Sequence, residues 1–318
     1  MATRKVFAVG NMSFVRSIGL LYIMNTHPRK NPLYYLSLTA AALIAFAANS
    51  VLCRLALGED LIDAAGFSVL RLLSGALVLL LILKVNPNKN HRQAESKGSW
   101  FASLMLFVYA VAFSYAYMSL DTGTGALILF GAVQITIILL SILSGNRLKL
   151  SEIVGVLIAF GGFVYLILPN ITTPSINGFL LMSLSGVAWG VYTLKGRGSV
   201  SPLGDTAYNF FRSVPLVLVL AIITLKDMQL SSEGVLLAVL SGGIASGVGY
   251  AIWYMALKGL SATVAAVVQL LVPVIAALGG VIFVSEAISI DLIVSGVLIL
   301  GGIGVVVLGR YFASTSDG

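Results

Sequence analysis

The sequence predicts an all-α integral membrane protein: ten transmembrane helices arranged as two inverted five-helix repeats. Three observations predict it: an apolar composition, ten long apolar runs, and a second half that restates the first. Of the 318 residues, 58% are hydrophobic and only 10% are charged. Soluble domains carry about 25% charged residues, and a chain this long needs far more polar surface to meet water. Lipid must therefore solvate its outside. About 20 apolar residues span a bilayer as a helix. Only helices and closed barrels satisfy every backbone group in lipid. A barrel shows alternation with period two, and these runs show none.

The chain opens on a basic extension, 1–32, with Arg4, Lys5, Arg16, Arg29 and Lys30 and no acid. It holds no A-x-A-like cleavage site, and translation can be read as starting at Met1 or at Met24. Ten apolar segments follow at 33–56, 63–84, 99–119, 122–144, 151–169, 177–194, 204–225, 234–256, 259–284 and 288–309. The first five make a repeat over 33–169 and the last five a repeat over 177–310, with a short tail at 311–318. Most connections are short. The longest, Val85 to Gly98, is plainly aqueous, and Pro169-Asn170 with Thr173-Pro174 ends the fifth segment and opens a turn.

Lys and Arg placement sets the orientation. Of the 19 basic residues, 15 fall at the N-terminus, at the C-terminus or in the gaps that share their side. Only Arg54 and Lys226 fall on the opposite side, and Arg71 and Arg212 lie within helices. This pattern supports an even number of spans with both termini cytoplasmic, as in a multi-pass protein of the bacterial inner membrane. It also assigns the net charge of +7 to topology, so nucleic acid is not an expected partner. The lone Cys53 reads as a small packing residue, and no Cys/His cluster is spaced to hold a metal.

The internal repeat is carried by matching pieces. Phe67-Ser68-Val69-Leu70-Arg71 in the second segment corresponds to Tyr208-Asn209-Phe210-Phe211-Arg212 in the seventh. Tyr117-Met118-Ser119-Leu120 corresponds to Tyr254-Met255-Ala256-Leu257, and Gly161-Gly162 to Gly301-Gly302. Gly145-Asn146-Arg147-Leu148 aligns with Ser285-Glu286-Ala287-Ile288, and Phe46-Ala47 loosely with Trp189-Gly190. Five segments per half is an odd number, so the second half must enter the membrane upside down. Inverted repeats of this kind are characteristic of secondary transporters, which hold substrate near the midplane.

The 5 + 5 arrangement, the two arginines, Leu271-Val272-Pro273-Val274-Ile275 and the following Val284-Ser285-Glu286 resemble the EamA-type branch of the drug/metabolite transporter superfamily. Trp189-Gly190 fits that family's Trp-Gly in the sixth helix, and Ser285-Glu286 nearly matches its Gly-Glu after the ninth. The first half departs from the pattern: Phe46-Ala47 replaces Trp-Gly, Val133 stands where proline is usual, and Asn146 stands for the acid. The resemblance implies a carrier of a small polar or amphipathic metabolite, amino acid-like, working by alternating access without ATP. It needs no cofactor. A monomer suffices, because one chain holds both halves.

No Walker A sequence is present, and no serine-histidine-acid set marks an enzyme. All twelve acids lie at or near segment ends, whereas proton-coupled carriers often bury a carboxylate mid-helix. Arg71 and Arg212 lie deep within their segments, where an unpaired charge costs at least ~2.5 kcal/mol. A gating or structural role and contact with substrate are both open readings for them. Asn49, Gln134, Tyr192 and Gln269 are uncharged polar residues inside helices, which should face the bundle interior. Each either lines a substrate cavity or joins helices by hydrogen bonds. Trp189 is a further cavity candidate. Tyr250, Trp253 and Tyr254 share one helical face; the first two are candidates to stack on substrate, and Tyr254 suits an interfacial belt. Pro273, Gly279 and Gly280 mark where the ninth segment is expected to bend. A membrane-embedded enzyme and a non-transporting scaffold remain the rival classes.

Overall fold

The computed structural model describes residues 32–85, 97–143, 150–167, 176–196, 199–260 and 262–316. The basic extension, most of the Val85–Gly98 connection and the 168–175 turn lie outside the described residues. Apart from a single antiparallel bridge between Ile62 and Leu230, the described residues are helices and short connections. In chain order the helices are α1 (Pro32–Gly58), α2 (Ala64–Val85), α3 (Trp100–Tyr117), α4 (Thr122–Leu143), α5 (Leu150–Ile167), α6 (Ile176–Gly196) and α7 (Pro202–Thr224). The eighth segment comprises α8 (Ser232–Val239), a π-helix (Leu240–Val248), α9 (Gly249–Ala256) and a 3₁₀ turn (Leu257–Gly259). The ninth is split into α10 (Ala262–Gln269) and α11 (Val272–Val284), and the tenth is α12 (Ile290–Ser316). By length and composition, eight of the described helical spans can cross a membrane. Ile153–Leu166 and Ile290–Val306 are shorter apolar stretches.

Local chemistry sets the starts. Ser99 caps α3 by accepting the N–H of Ala102 at 3.1 Å, and Ser231 caps α8 through Gly234 at 3.0 Å. Pro202 opens α7, where its missing N–H costs nothing. α12 runs on to Ser316, into the stretch expected to be a tail.

Two interruptions matter for the site. The π-helix adds a residue to a turn where the eighth segment presses on α2. Gly242 lies so close there that a Cβ would stand 2.0 Å from the Arg71 carbonyl oxygen. The second interruption divides an expectation, falling beside Pro273 and not at the two glycines. The ninth segment breaks at Leu270–Leu271, ahead of Pro273, and runs unbroken through Gly279 and Gly280. The cause is Pro273, whose ring clashes with the carbonyl four residues back and which donates no hydrogen bond. The two glycines instead permit close packing. A Cβ on Gly279 would lie 2.6 Å from Val51, and one on Gly280 would lie 2.4 Å from the Glu286 carboxylate.

The helices pack in defined pairs: α5 with α12, α2 with α7, α3 with α6, α4 with α6, α1 with α9, α1 with α11, and α4 with α11. The shared interior holds Phe67, Phe113, Tyr117, Met182 and Ile299, each at most 1% exposed. Large apolar side chains such as Ile222, Ile282 and Val297 cover the outside, where only lipid tails can solvate them.

Candidate functional site

One cavity of about 500 Å³ opens into the bundle, within the range of small-molecule sites. Its walls come from α1, α3, α4, α6, α9 and α10, with the first turns of α7 at its mouth. Of the residues expected to bind substrate, Asn49, Trp189, Tyr192, Tyr250, Trp253 and Gln269 line it. Gln134 is buried but does not line the cavity. Phe46, Tyr109 and Phe113 line the cavity as well, and sequence reading missed them. Their signal was present: Tyr109, Phe113 and Tyr117 recur every fourth residue, so they share one face of α3.

The inner wall is aromatic. Trp189 stacks on Tyr192 at 5.0 Å between centroids and on Tyr250 at 5.5 Å, and tilts against Tyr109 at 4.7 Å. Phe46 leans on Tyr250 and Trp253. Rings in contact this way add stability beyond their buried area, which makes this wall stiff. Tyr254, expected in an interfacial belt, instead turns inward. Its hydroxyl lies 2.7 Å from Thr206, which also accepts from Tyr192 at 3.3 Å. Asn49 is 4% exposed, and its carbonyl oxygen accepts from Ser241 at 2.9 Å and Ser246 at 3.2 Å. It therefore ties α1 to the π-helix while facing the cavity.

Arg71 and Arg212, the two arginines within helices, have unlike surroundings. Arg71 is 2% exposed; its Nη2 donates to the Tyr109 hydroxyl at 2.8 Å, and its guanidinium lies 4.6 Å over the Phe113 ring. Arg212 is only partly buried, donates to the Lys97 carbonyl and reaches the Trp100 ring.

The ends of the cavity differ. At one end the mouth is polar, formed by Ser99, Lys195, Ser199 and Asp205 among others. At the opposite end a latch joins α1 to the ends of α3, α4 and α11. Arg54 of α1 meets the Glu286 carboxylate at 3.2 Å and Asp121 at 3.8 Å, and donates to the Tyr117 carbonyl at 3.2 Å. Glu286 also accepts the Thr122 N–H at 2.9 Å, at the N-terminus of α4, where the helix dipole favours a carboxylate. Ser285 makes this aim possible. It adopts φ 59 and ends α11, and the Glu286 N–H turns back to the Gly280 carbonyl at 3.1 Å.

Two clasps hold α2 against α7. At the latch end, Asp63 receives the Gln229 N–H at 2.9 Å. At the mouth, Asp205 receives the Gly98 N–H at 2.8 Å, and Asn209 receives that of Ser99 at 2.9 Å. Each clasp joins the start of one of these helices to the connection that follows the other.

A helical bundle of apolar, membrane-spanning segments around a mixed aromatic and polar cavity defines a multi-pass membrane protein. The comparisons name the class more closely. The model of the EamA-like transporter family matches residues 176–308. An uncharacterized protein, PA1977, of Pseudomonas aeruginosa is 46% identical over 89% of this chain and 98% of its own length. An uncharacterized transporter of Archaeoglobus fulgidus is 31% identical over 59% of this chain and 68% of its own. The uncharacterized transporter YyaM of Bacillus subtilis is 30% identical over 56% and 64%. One solved crystal structure shares the fold, with a TM-score of 0.58 at 20% identity over 85% of this chain and 97% of that one. The chain belongs to the EamA-type transporters of the drug/metabolite transporter superfamily.

Proposed function

We propose that this protein is a secondary transporter that carries a small polar or amphipathic metabolite, amino acid-like, by alternating access without ATP. The observation that carries the reading is a cavity with a polar mouth at one end and an inter-half ionic latch at the other. That is the arrangement a carrier needs in one of its two access states.

The pairing of helices supports ten spans in two inverted repeats. Exchange each segment with the one five places away: α3 on α6 becomes the eighth segment on α1, and α4 on α6 becomes the ninth on α1. Both partners of each exchange are present, and the pairs α2–α7, α5–α12 and α4–α11 map onto themselves. A pseudo-two-fold axis has this signature. The Asp63 and Asp205 clasps obey it too, one at each end.

The mouth lies on the side that carries most of the Lys and Arg residues. By the positive-inside rule it faces the cytoplasm together with both termini, and the latch faces outward. The membrane is then the bacterial inner membrane. One chain supplies both halves, so a monomer does the work, with the substrate and the bilayer as its partners.

Counterflow of a labelled metabolite panel into liposomes holding the purified protein tests this function. Saturable, protein-dependent uptake is expected, with affinity altered by Trp189→Ala, which removes the centre of the aromatic wall. If an unfolded control gives the same uptake across the panel, the transporter reading fails.

A further inference from the structure

We propose that the cavity selects organic anions, specifically a carboxylate borne on a planar apolar body, and that Arg71 and Tyr109 together read the carboxylate. This inference rests on the transporter reading and narrows its substrate class.

Arg71 is a buried charge without an opposite. Arg71 is one of the largest fully buried side chains of the protein. Ion pairs among the described residues involve Arg54 only, so no carboxylate answers Arg71. Its Nη1 is buried with no hydrogen-bond partner. Its guanidinium touches the Tyr109 hydroxyl and the faces of Tyr109 and Phe113. A buried cation with an unfilled donor is costly unless a counter-ion arrives from elsewhere. Tyr109 and Phe113 both face the cavity, which places Arg71 one ring behind its wall.

Tyr109 supplies the connection. Its oxygen accepts from Arg71 at 2.8 Å, so its own hydroxyl hydrogen is left to donate. A cation bonded to that oxygen polarises the hydroxyl and makes it a stronger donor. A carboxylate in the cavity would receive that hydrogen and feel the guanidinium behind it. The one acid at the cavity, Asp205, opposes this little. It sits at the mouth, with one carboxylate oxygen bonded to Gly98 and the other to Ser199. The lining also carries Lys195. The stacked Tyr192–Trp189–Tyr250 wall accommodates a planar body beside Tyr109.

Tryptophan fluorescence gives a direct test, because two of the three tryptophans, Trp189 and Trp253, line the cavity. The full-length protein in detergent is titrated with phenylacetate, phenylacetamide and phenethylamine, which share a ring and differ in charge. Saturable quenching by phenylacetate at a Kd at least tenfold below the other two is expected. Arg71→Gln should erase that preference. Tyr109→Phe should narrow it and leaves the guanidinium in place, so it decides the matter if Arg71→Gln does not fold. Equal or tighter binding of the amide or the amine overturns the inference. So does a preference that survives in both variants, or no saturable quenching by any of the three. Counterflow separates this from the broader reading: uptake of neutral or cationic solutes alone sinks the anion and leaves the carrier. Carboxylate-selective binding without any uptake sinks the carrier and leaves the anion site.

Discussion

Glu286→Gln should unseal the latch end of the bundle. In the native structure the Glu286 side chain is 12% exposed and that of Arg54 is 22%, so the pair is only partly screened by water. The glutamine keeps an acceptor for the Thr122 N–H and removes only the charge that Arg54 meets at 3.2 Å. A hydrogen bond to a charged partner contributes about 1.5–3 kcal/mol. Taking about 2 kcal/mol, the balance between latched and unlatched states shifts by roughly 30-fold, since 1.4 kcal/mol is tenfold. Cys53 reports the shift. It is the only cysteine, it is fully buried, and it precedes Arg54 in the chain. A membrane-impermeant maleimide applied from the latch side of oriented vesicles should label it about 30-fold faster in Glu286→Gln. Arg54→Gln should act similarly, and the double variant should add little, because both remove one interaction. A labelling rate within twofold of wild type in both single variants would refute the latch.

Three further outcomes follow from individual positions. Gly98 has φ 67, and a Cβ there would stand 2.2 Å from Asn209 Oδ1. Gly98→Ala should therefore lose about 1–2 kcal/mol from the backbone and loosen the mouth clasp, seen as a lower Tm in detergent; an unchanged Tm would mean that the clasp contributes nothing. Ser285 bears a side chain at φ 59 where glycine ends a helix without strain, so Ser285→Gly should raise the unfolding free energy by about 1 kcal/mol, while a loss would show that the serine side chain has a role of its own. Asn49→Leu removes the acceptor of both Ser241 and Ser246; at about 0.6 kcal/mol per bond in a bilayer the cost should be about 1 kcal/mol by thermal unfolding, and a stabilised variant would contradict the tie between α1 and the π-helix.

Much of the fold was legible because lipid imposes one strong rule. Runs such as Leu77–Leu83 cannot meet water, and a bilayer leaves helices as the way to satisfy their backbones. Cavity residues were legible where a polar or large aromatic side chain interrupts such a run, as at Asn49 and Trp189. Gln134 shows the limit of that logic: a buried amide must face protein, but which protein surface depends on helix rotation, which composition does not encode. Of the three residues expected to bend the ninth segment, Pro273 interrupts it and Gly279-Gly280 do not, because glycine permits bending without requiring it, whereas proline removes a bond outright. The latch was hidden for another reason. Arg54, Asp121 and Glu286 are far apart in sequence, and each reads alone as an ordinary helix-end charge. Counting spans puts all three on one side of the membrane, and that was the available signal.

The same count exposes an asymmetry between the halves. Through the repeat, Arg54 corresponds to Arg197, Asp121 to Lys258, and Glu286 to Asn146. The latch thus joins one cation to two acids, whereas the corresponding positions of the sequence hold two cations and an amide. In the alternating access proposed above, only one of the two closures is held by these charges. Opposite charges favour the closed latch, and the corresponding sequence positions supply no acid to form such a pair for the matching closure at the mouth. The bundle should then rest with its mouth open, as it stands here, and close that mouth only when something else compensates. A bound anion would do so, since it brings the negative charge that the counterparts of Asp121 and Glu286 lack. The unpaired Arg71 within and the one-sided latch at the end therefore point to the same requirement: a substrate that carries the missing charge.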